Sequence, residues 1–313
     1  VTGKKIILLS GNRVAIPLIQ QLYAQQQLAA IGVPEHCTTF CKELKFLFNN
    51  KQLQIQLLNK ENFVRVIKKL LDKHQAEAVI MFYFPYKIPK HLFHIPPKGF
   101  INFHPGILPD FRGPDPIFSQ IINQSAFAGL TVHSVDENFD TGPVIFLEKI
   151  PLLPEDTHGS LSTKTAFVAV KLMQQLMLFL QANLPLPQSP QTKEGVYYKK
   201  AEEKDILIDW EKKDAGSIRA VVNACNPWNK GAVTYWNGWV FRIVETEPST
   251  LTGNEHPGTV LEADKENGLV VQCSNNSSLK VNIVYSNEGI MSGYKLNQLG
   301  LKKGMVLKAP TIN

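Results

Sequence analysis

The chain has 313 residues, 44% of them hydrophobic and 19% charged, with a formal net charge of +6 and a pI near 9.0. That length accommodates two domains, and since no apolar run approaches the roughly twenty residues a bilayer requires, no membrane span is expected. The basic balance permits a polyanionic partner without demonstrating one; residues 1–190 hold 18 Lys and Arg against 13 Asp and Glu, and residues 191–313 hold 15 against 14.

Lys4 and Lys5 precede an apolar run of only four residues, so the start predicts a strand, Ile6 to Leu9, and not a signal peptide. Ser10-Gly11-Asn12 ends it in a turn, and a helix follows from Val14 to Gln25 with Val14, Leu18 and Leu22 on one stripe. Leu28 to Val33 is a second strand. Gly11 lacks the second and third glycines of a dinucleotide fingerprint and predicts a tight turn, with no nicotinamide cofactor. Cys37 and Cys41, with His36 adjacent, approach the spacing of a zinc pair, but no second pair lies nearby and no metal site is expected. With Cys225 and Cys273, the cysteines are too few and scattered for a disulfide framework, which favours a reduced, cytoplasmic protein.

From Cys37 a basic stretch with Lys42, Lys45 and Lys51 around Phe46, Leu47 and Phe48 predicts a helix leading into a short strand, Leu53 to Gln56. Phe63 to Gln75 is amphipathic: Val64, Ile67, Leu70 and Leu71 share one side, and Arg65, Lys68, Lys69 and Lys73 form a solvated face rather than a nucleic-acid patch. Ala78 to Phe82 is the next buried strand. It runs into Tyr83-Phe-Pro-Tyr-Lys-Ile-Pro89, where two prolines hold the loop extended and leave backbone groups open to a flat heterocycle. Plain packing of the aromatics explains that loop equally well.

Strand Phe100 to Phe103 delivers Asn102 and His104 to one side, because side chains two apart on a strand share a face. A Pro- and Gly-rich turn, a helix-like run from Ile117 to Asn123 and an apolar strand, Leu130 to Val132, lead to the loop carrying Asp140. If the Leu130 strand lies beside the Ile101 strand, the carboxylate reaches the imidazole. An amide, an imidazole and a carboxylate converging on a crevice suit acyl transfer, in which an oxyanion must be stabilised and a proton moved. The bland alternative is a satisfied core histidine and a loop cap; His133 reads as an ordinary strand residue or an acceptor contact.

Val144 to Phe146 with Ile150 forms the last core segment, and Leu161 to Leu180 is a long helix with Met173 and Met177 as core filler. Asn183 to Thr192 contains three prolines and no charge and reads as a linker. Beyond it, Asp214 caps a helix reaching Ala224. Ala232 to Tyr235 and Val240 to Val244 form a hairpin about Asn237-Gly238, and Gly258 to Leu261, Gly268 to Gln272 and Leu279 to Val284 are further strands of a small barrel.

The run Asn102-Phe-His104-Pro-Gly-Ile-Leu-Pro109-Asp-Phe-Arg112-Gly113, followed by Gly129-Leu-Thr131 and Asp136-Glu-Asn-Phe-Asp140-Thr-Gly142, resembles the signature of the folate-dependent formyltransferases related to methionyl-tRNA formyltransferase, amino-sugar N-formyltransferases included. Asn226-Pro-Trp228 and Gly300-Leu-Lys-Lys-Gly-Met305 resemble that family's C-terminal domain. The resemblance implies an α/β fold: an open, mostly parallel, Rossmann-like catalytic domain over residues 1–182, a linker at 183–195 and a smaller β-barrel-like domain over 196–313. It implies a catalytic Asn102, His104 and Asp140, and 10-formyltetrahydrofolate as formyl donor, held by Phe82, Tyr83, Phe84, Pro85, Tyr86, Ile88, Leu108, Asp136, Glu137 and Asn138. Gly106 departs from the family's usual Ser.

N-formyl transfer to a primary amine is the leading expectation. A folate hydrolase uses the same three groups, but the family's hydrolases carry a regulatory module before the catalytic domain, whereas this chain opens almost at its first strand. A folate- or nucleotide-binding module without turnover would not need the three groups. The family's methionyl-tRNA enzymes carry a basic insertion after the second strand that is missing after Val33, and residues 191–313 are nearly neutral. A small amine, an amino-sugar nucleotide or a carrier-bound amino acid, is therefore favoured as acceptor over tRNA.

Overall fold

The computed structural model describes residues 3–48, 53–251 and 253–309; Lys51 of the basic stretch lies outside them. In strand β1 (Ile6–Leu9), Ile6 and Leu8 enter one core and Ile7 and Leu9 another, because successive strand side chains point to opposite faces. The first core also takes Leu18, Ile19 and Leu22 of α1 (Ile16–Ala24), Phe40, Cys41 and Leu44 of α2 (Thr38–Leu47), and Leu172, Met173 and Leu176 of α5 (His158–Gln181). The second takes Ile67, Leu70 and Leu71 of α3 (Phe63–His74). Helices therefore cover both faces of the sheet, as parallel strands require.

That sheet has the order β3-β2-β1-β4-β5-β6-β7, with β2 at Leu28–Pro34, β3 at Gln54–Leu58, β4 at Ala78–Phe82, β5 at Phe100–His104, β6 at Phe127–Ser134 and β7 at Val144–Pro151. Pairs from β3 through β5 are parallel, and β6 runs antiparallel to β5 after the short helix α4 (Pro116–Ile122). The chain builds outward from β1 through β2 and β3, then returns to β4 on the other side of β1. That reversal opens a crevice at the carboxyl ends of β1 and β4, the usual ligand position in open α/β sheets.

Several elements differ from expectation. The helix after β1 starts late: Arg13–Ala15 is a 3-10 turn capped by the Asn12 side chain, and α1 begins at Ile16 because Pro17 lacks an N–H and fits only a first turn. β6 extends beyond Leu130 to Val132 at both ends, and the segments around Val144 and Ile150 form one strand.

By contacts the chain divides into Val1–Pro116, Ala128–Ile150 and Ser162–Lys199 as one unit, and Ile117–Phe127, Pro151–Leu161 and Lys200–Asn313 as the other. This departs from boundaries at 182 and 196. The proline-bearing run is mostly exposed in its side chains, yet its backbone is paired: Ser189 bridges Val144 and Tyr197 bridges Arg112, which ties 183–199 to the first unit.

In the second unit, helix α6 (Ala215–Cys225) is capped by Asp214, whose carboxylate accepts from Ser217 N–H. The sheet is antiparallel, ordered β10-β11-β12-β9-β8 with β13 on β12. Its strands are β8 (Ala232–Trp236), β9 (Trp239–Pro248), β10 (Val260–Asp264), β11 (Gly268–Gln272), β12 (Ser278–Ser286) and β13 (Gly289–Ser292). Asn237 and Gly238 both take positive φ, 45° and 85°, matching the twist of the β8–β9 hairpin. The two outer strands of that order are both paired by residues near the chain's end: Tyr235 exchanges hydrogen bonds with Lys308, while Val260 N–H donates to Met305 O and Leu307 N–H to Gly258 O. Both edges are thus covered in a barrel-like manner. No helix among the described residues is long and apolar enough to cross a membrane.

Candidate active site

The crevice at the ends of β1 and β4 holds a cavity of about 390 Å3, lined by Gly11 and Asn12 after β1, by Tyr83, Phe84 and Pro85 after β4, and by Asn102, His104 and Asp140. Gly11 N–H donates to Tyr83 O at 3.0 Å, closing the turn that the lone glycine predicted. Asn102 and His104 leave β5 on the side opposite Ile101 and Phe103, which belong to the core under α1 and α5. Antiparallel register sets His133 of β6 against Asn102 and Thr131 against His104.

Three groups meet at the Asp140 carboxylate, two from β5 and one from the turn that follows it. His104 Nδ1 lies 3.4 Å from Asp140 Oδ1, and Asn102 Nδ2 donates toward the same oxygen at 3.5 Å. Oδ2 accepts from Gly113 N–H at 3.0 Å. The other ring nitrogen of His104 is 2.6 Å from Phe111 O. A carbonyl can only accept, so Nε2 carries the hydrogen and Nδ1 faces the carboxylate. By the same argument His133 Nδ1 donates to Ser134 O at 2.9 Å, which leaves Nε2 to accept from Asn102 Nδ2 at 3.2 Å. His133 thereby joins the cluster, with its Nε2 3.7 Å from Asp140 Oδ1.

The electrostatics follow from burial. Desolvation lowers the His104 pKa below its ordinary 6.5, more than Asp140 and the Phe111 carbonyl raise it, and His133 adds to the fall. Desolvation pushes Asp140 upward, but His104, His133 and the Gly113 amide together outweigh it and hold the carboxyl at about 2. Around neutrality the site therefore contains a carboxylate facing an imidazole with a free Nδ1 lone pair, and a proton placed on that nitrogen is shared between them.

Gly106 has a steric reason. A Cβ there would stand 2.7 Å from His104 Nε2 and 2.8 Å from Phe111 O, so the glycine leaves room for the ring to reach that carbonyl. Thr131 Oγ1 donates to Gly106 O at 2.6 Å and accepts from Leu108 N–H at 3.1 Å, fixing the turn from below.

Of the residues expected around a folate, Tyr83, Phe84 and Pro85 line this cavity. Phe82, Ile88 and Leu108 are buried in packing instead; Phe82 ends β4 on the face under α1 and Ile88 joins the core under α3. Tyr86 packs on Phe63 and Phe84 and donates its hydroxyl to Leu58 O at 3.3 Å. Asp136 and Glu137 border a separate hollow of about 650 Å3 with Phe93, His94 and Lys98, where Glu137 pairs with Lys90. Asn138 is exposed, its N–H bonded to Asp136 Oδ1 at 3.1 Å. Asn12, His36, Cys37, Phe139 and Tyr197 also line the cavity and were not singled out for it. Position just after β1 was a signal for Asn12; Tyr197, distant in sequence, carried none. Among the described residues no cluster of three or more His, Cys, Asp and Glu side chains could hold a metal ion.

The pattern described as formyl transferase matches residues 29–177, and that described as formyl transferase, C-terminal domain, matches residues 200–297. The methionyl-tRNA formyltransferase of Halothermothrix orenii is 28% identical over 283 residues, spanning 85% of this chain and 88% of that protein. The one of Dictyoglomus turgidum is 30% identical over 219 residues, 69% of this chain and 68% of that protein. Among solved structures, the N-formyltransferase from Helicobacter canadensis, in complex with folinic acid and dTDP-3-aminofucose, shares the fold with a TM-score of 0.64 at 16% identity, over 88% of this chain and 98% of that one. HypX from Aquifex aeolicus gives 0.67 at 18% identity over 96% of this chain, which spans about half of HypX, 49%. Matched by both patterns over more than half of its length and by these relatives, this chain belongs to the formyl transferase family and is an enzyme of that family.

Proposed function

We propose that the chain moves the formyl group of 10-formyltetrahydrofolate to the amino group of methionyl-tRNA, with Asn102, His104 and Asp140 as the catalytic residues. The convergence of these three side chains at the mouth of the crevice carries the reading. The folate fits there on chemical grounds: Tyr83, Phe84 and Pro85 supply a flat apolar wall, and a cavity of about 390 Å3 is of small-molecule size. The amine attacks the formyl carbon and the carbonyl electron pair moves onto oxygen. Asn102 Nδ2–H is the donor for that oxyanion, and the unprotonated Nδ1 of His104 takes the proton that the attacking nitrogen sheds. Asp140, charged well below neutrality and 3.4 Å from Nδ1, stabilises the imidazolium so formed. On collapse the C–N bond to the folate breaks and the departing nitrogen takes the proton back from the imidazolium, so the products are the formamide and tetrahydrofolate. We place this reaction in the cytoplasm, where the four free cysteines stay reduced.

The acceptor reading is supported by relatives that match through both domains. A small amine, such as an amino-sugar nucleotide or a carrier-bound amino acid, is the second reading. It is favoured by the connection from β2 to α2, which is only Glu35, His36 and Cys37 and carries no basic insertion, and by the balance of 15 cationic against 14 anionic residues after residue 190. A turnover screen with 10-formyltetrahydrofolate against initiator methionyl-tRNA, amino-sugar nucleotides and free amines separates them. If tRNA is the acceptor, binding weakens steeply between about 50 and 200 mM salt, as counterion release demands. A shallow salt dependence with turnover only on a small amine overturns the tRNA reading, and formate release without any acceptor points to hydrolysis.

A further inference from the structure

Residues 188–198 cross both loops that carry the proposed catalytic groups. Gln191 Nε2 donates to the Asp140 carbonyl at 3.0 Å and to the Gly142 carbonyl at 2.8 Å. Its Oε1 accepts from Arg112 Nη2 at 2.7 Å. Arg112 itself sits between Phe111, whose carbonyl holds His104 Nε2, and Gly113, whose N–H holds Asp140 Oδ2. One carboxamide therefore bonds the backbone of the Asp140 loop and the side chain of the loop that orients His104. Both amide hydrogens and the oxygen are used, and turning the group over would set its oxygen against two carbonyls and its NH2 against a guanidinium, so one orientation is enforced.

The surroundings need such a tie. Asp140 has φ +59°, the left-handed region that a non-glycine residue keeps only where its neighbours over-determine it. The same strap is zipped to the other loop through its backbone: Arg112 N–H donates to Val196 O at 3.0 Å, Val196 N–H to Pro109 O at 3.1 Å and Tyr198 N–H to Arg112 O at 2.9 Å. The Tyr198 ring stacks on Phe111 with centroids 5.4 Å apart. We propose that Gln191 is a positioning residue for formyl transfer: by bonding the carbonyls of Asp140 and Gly142 and the Arg112 guanidinium together, it holds the Asp140 carboxylate against His104 Nδ1. The inference rests on the proposed function, which assigns Asp140 and His104 their roles.

Two variants test it. Gln191→Met keeps the side chain's length without donors or acceptor; Gln191→Glu keeps the acceptor for Arg112 and removes both donors. Both should lower kcat by about tenfold to a hundredfold, the scale of a catalytic group displaced by an ångström, while KM for 10-formyltetrahydrofolate stays within about threefold. The acid limb of the kcat profile should move to higher pH, because Asp140 then faces His104, His133, Asn102 and the Gly113 amide from a less fixed position. Lys193→Ala, which breaks an exposed 2.8 Å ion pair to Asp110 on the same strap, should change neither. Folded variants with wild-type kcat and an unmoved acid limb overturn the proposal. If neither variant folds, Gln191 holds the fold and the positioning role is rejected. If the wild-type chain transfers no formyl group to any acceptor, the proposed function falls; NMR titration of the His104 ring then judges Gln191 alone, and an unchanged titration in Gln191→Met overturns it.

Discussion

Replacing Gly106 with Ser, the residue usual in the family at this position, should damage this chain. A Cβ at 106 meets His104 Nε2 at 2.7 Å, Phe111 O at 2.8 Å and Pro116 Cβ at 2.9 Å, whereas ordinary contact begins at 3.4 Å. Two of those three atoms are the donor and acceptor of the 2.6 Å bond that fixes the imidazole. Either the ring and the carbonyl separate or the turn from Pro105 to Arg112 shifts. Overpacking of this kind costs about 1–3 kcal/mol, and a buried ring N–H deprived of its acceptor adds about 1–3 kcal/mol. At about 2–4 °C per kcal/mol for a body of this size, the summed cost of about 2–6 kcal/mol should lower the melting of the first unit by roughly 4–24 °C. Turnover should fall by about a hundredfold, since the ring that presents Nδ1 to Asp140 is no longer held. Thermal unfolding followed by circular dichroism, with initial rates on the same samples, measures both. Gly106→Ala provides the companion: it adds the Cβ without a hydroxyl and should share both losses. Ser and Ala variants that melt and turn over like the wild type would refute the steric argument.

His104→Ala should leave the fold intact and reduce turnover by about a hundredfold or more, the scale of losing a positioned general base; a soluble variant with near-wild-type rates on its acceptor would remove His104 from the mechanism. Asp140→Asn should be less stable than the wild type at neutral pH. The folded carboxyl sits at about 2 against an ordinary 3.8, which corresponds to about 2 kcal/mol. Because the folded value is depressed, that stability is fully present above 3.8 and is lost as pH falls toward 2. Urea unfolding at a series of pH values should therefore show the gap between wild type and Asp140→Asn narrowing below about pH 4; a gap that stays constant down to pH 3 would mean the carboxylate is not preferentially held.

Much of the fold was legible because it depends on local periodicity. Alternating or continuous apolar runs marked β1, β2, β4 and β5, and the stripe of Ile67, Leu70 and Leu71 marked α3. The Asn237-Gly238 pair named its hairpin, since few residues accept two positive φ angles in succession. β13 went unread: Gly-Ile-Met-Ser is too short to carry a period, and only pairing with β12 makes it a strand. The placement of the residues expected around a folate was less legible than that of Asn102, His104 and Asp140. Naming a loop from Phe82 to Ile88 does not tell which of its side chains turn inward, and the structure buries Phe82 and Ile88 while leaving Tyr83, Phe84 and Pro85 at the cavity.

What the sequence determined by itself was the chemistry on offer: an amide and an imidazole two residues apart on one strand face, and a carboxylate in a later polar loop. A spacing of two fixes a shared face whatever the neighbours are, because the strand's period is a property of the backbone. Which groups meet was decided only by tertiary structure. The register of β6 on β5 placed His133 against Asn102, and the return of residues 188–198 set Gln191, 51 positions beyond Asp140 and 79 beyond Arg112, on both loops at once. Those contacts join residues whose local sequence carries no sign of a partner. Side chains so far apart along the chain are brought within 3 Å by the packing of the sheet and its crossings, and a one-dimensional pattern records neither.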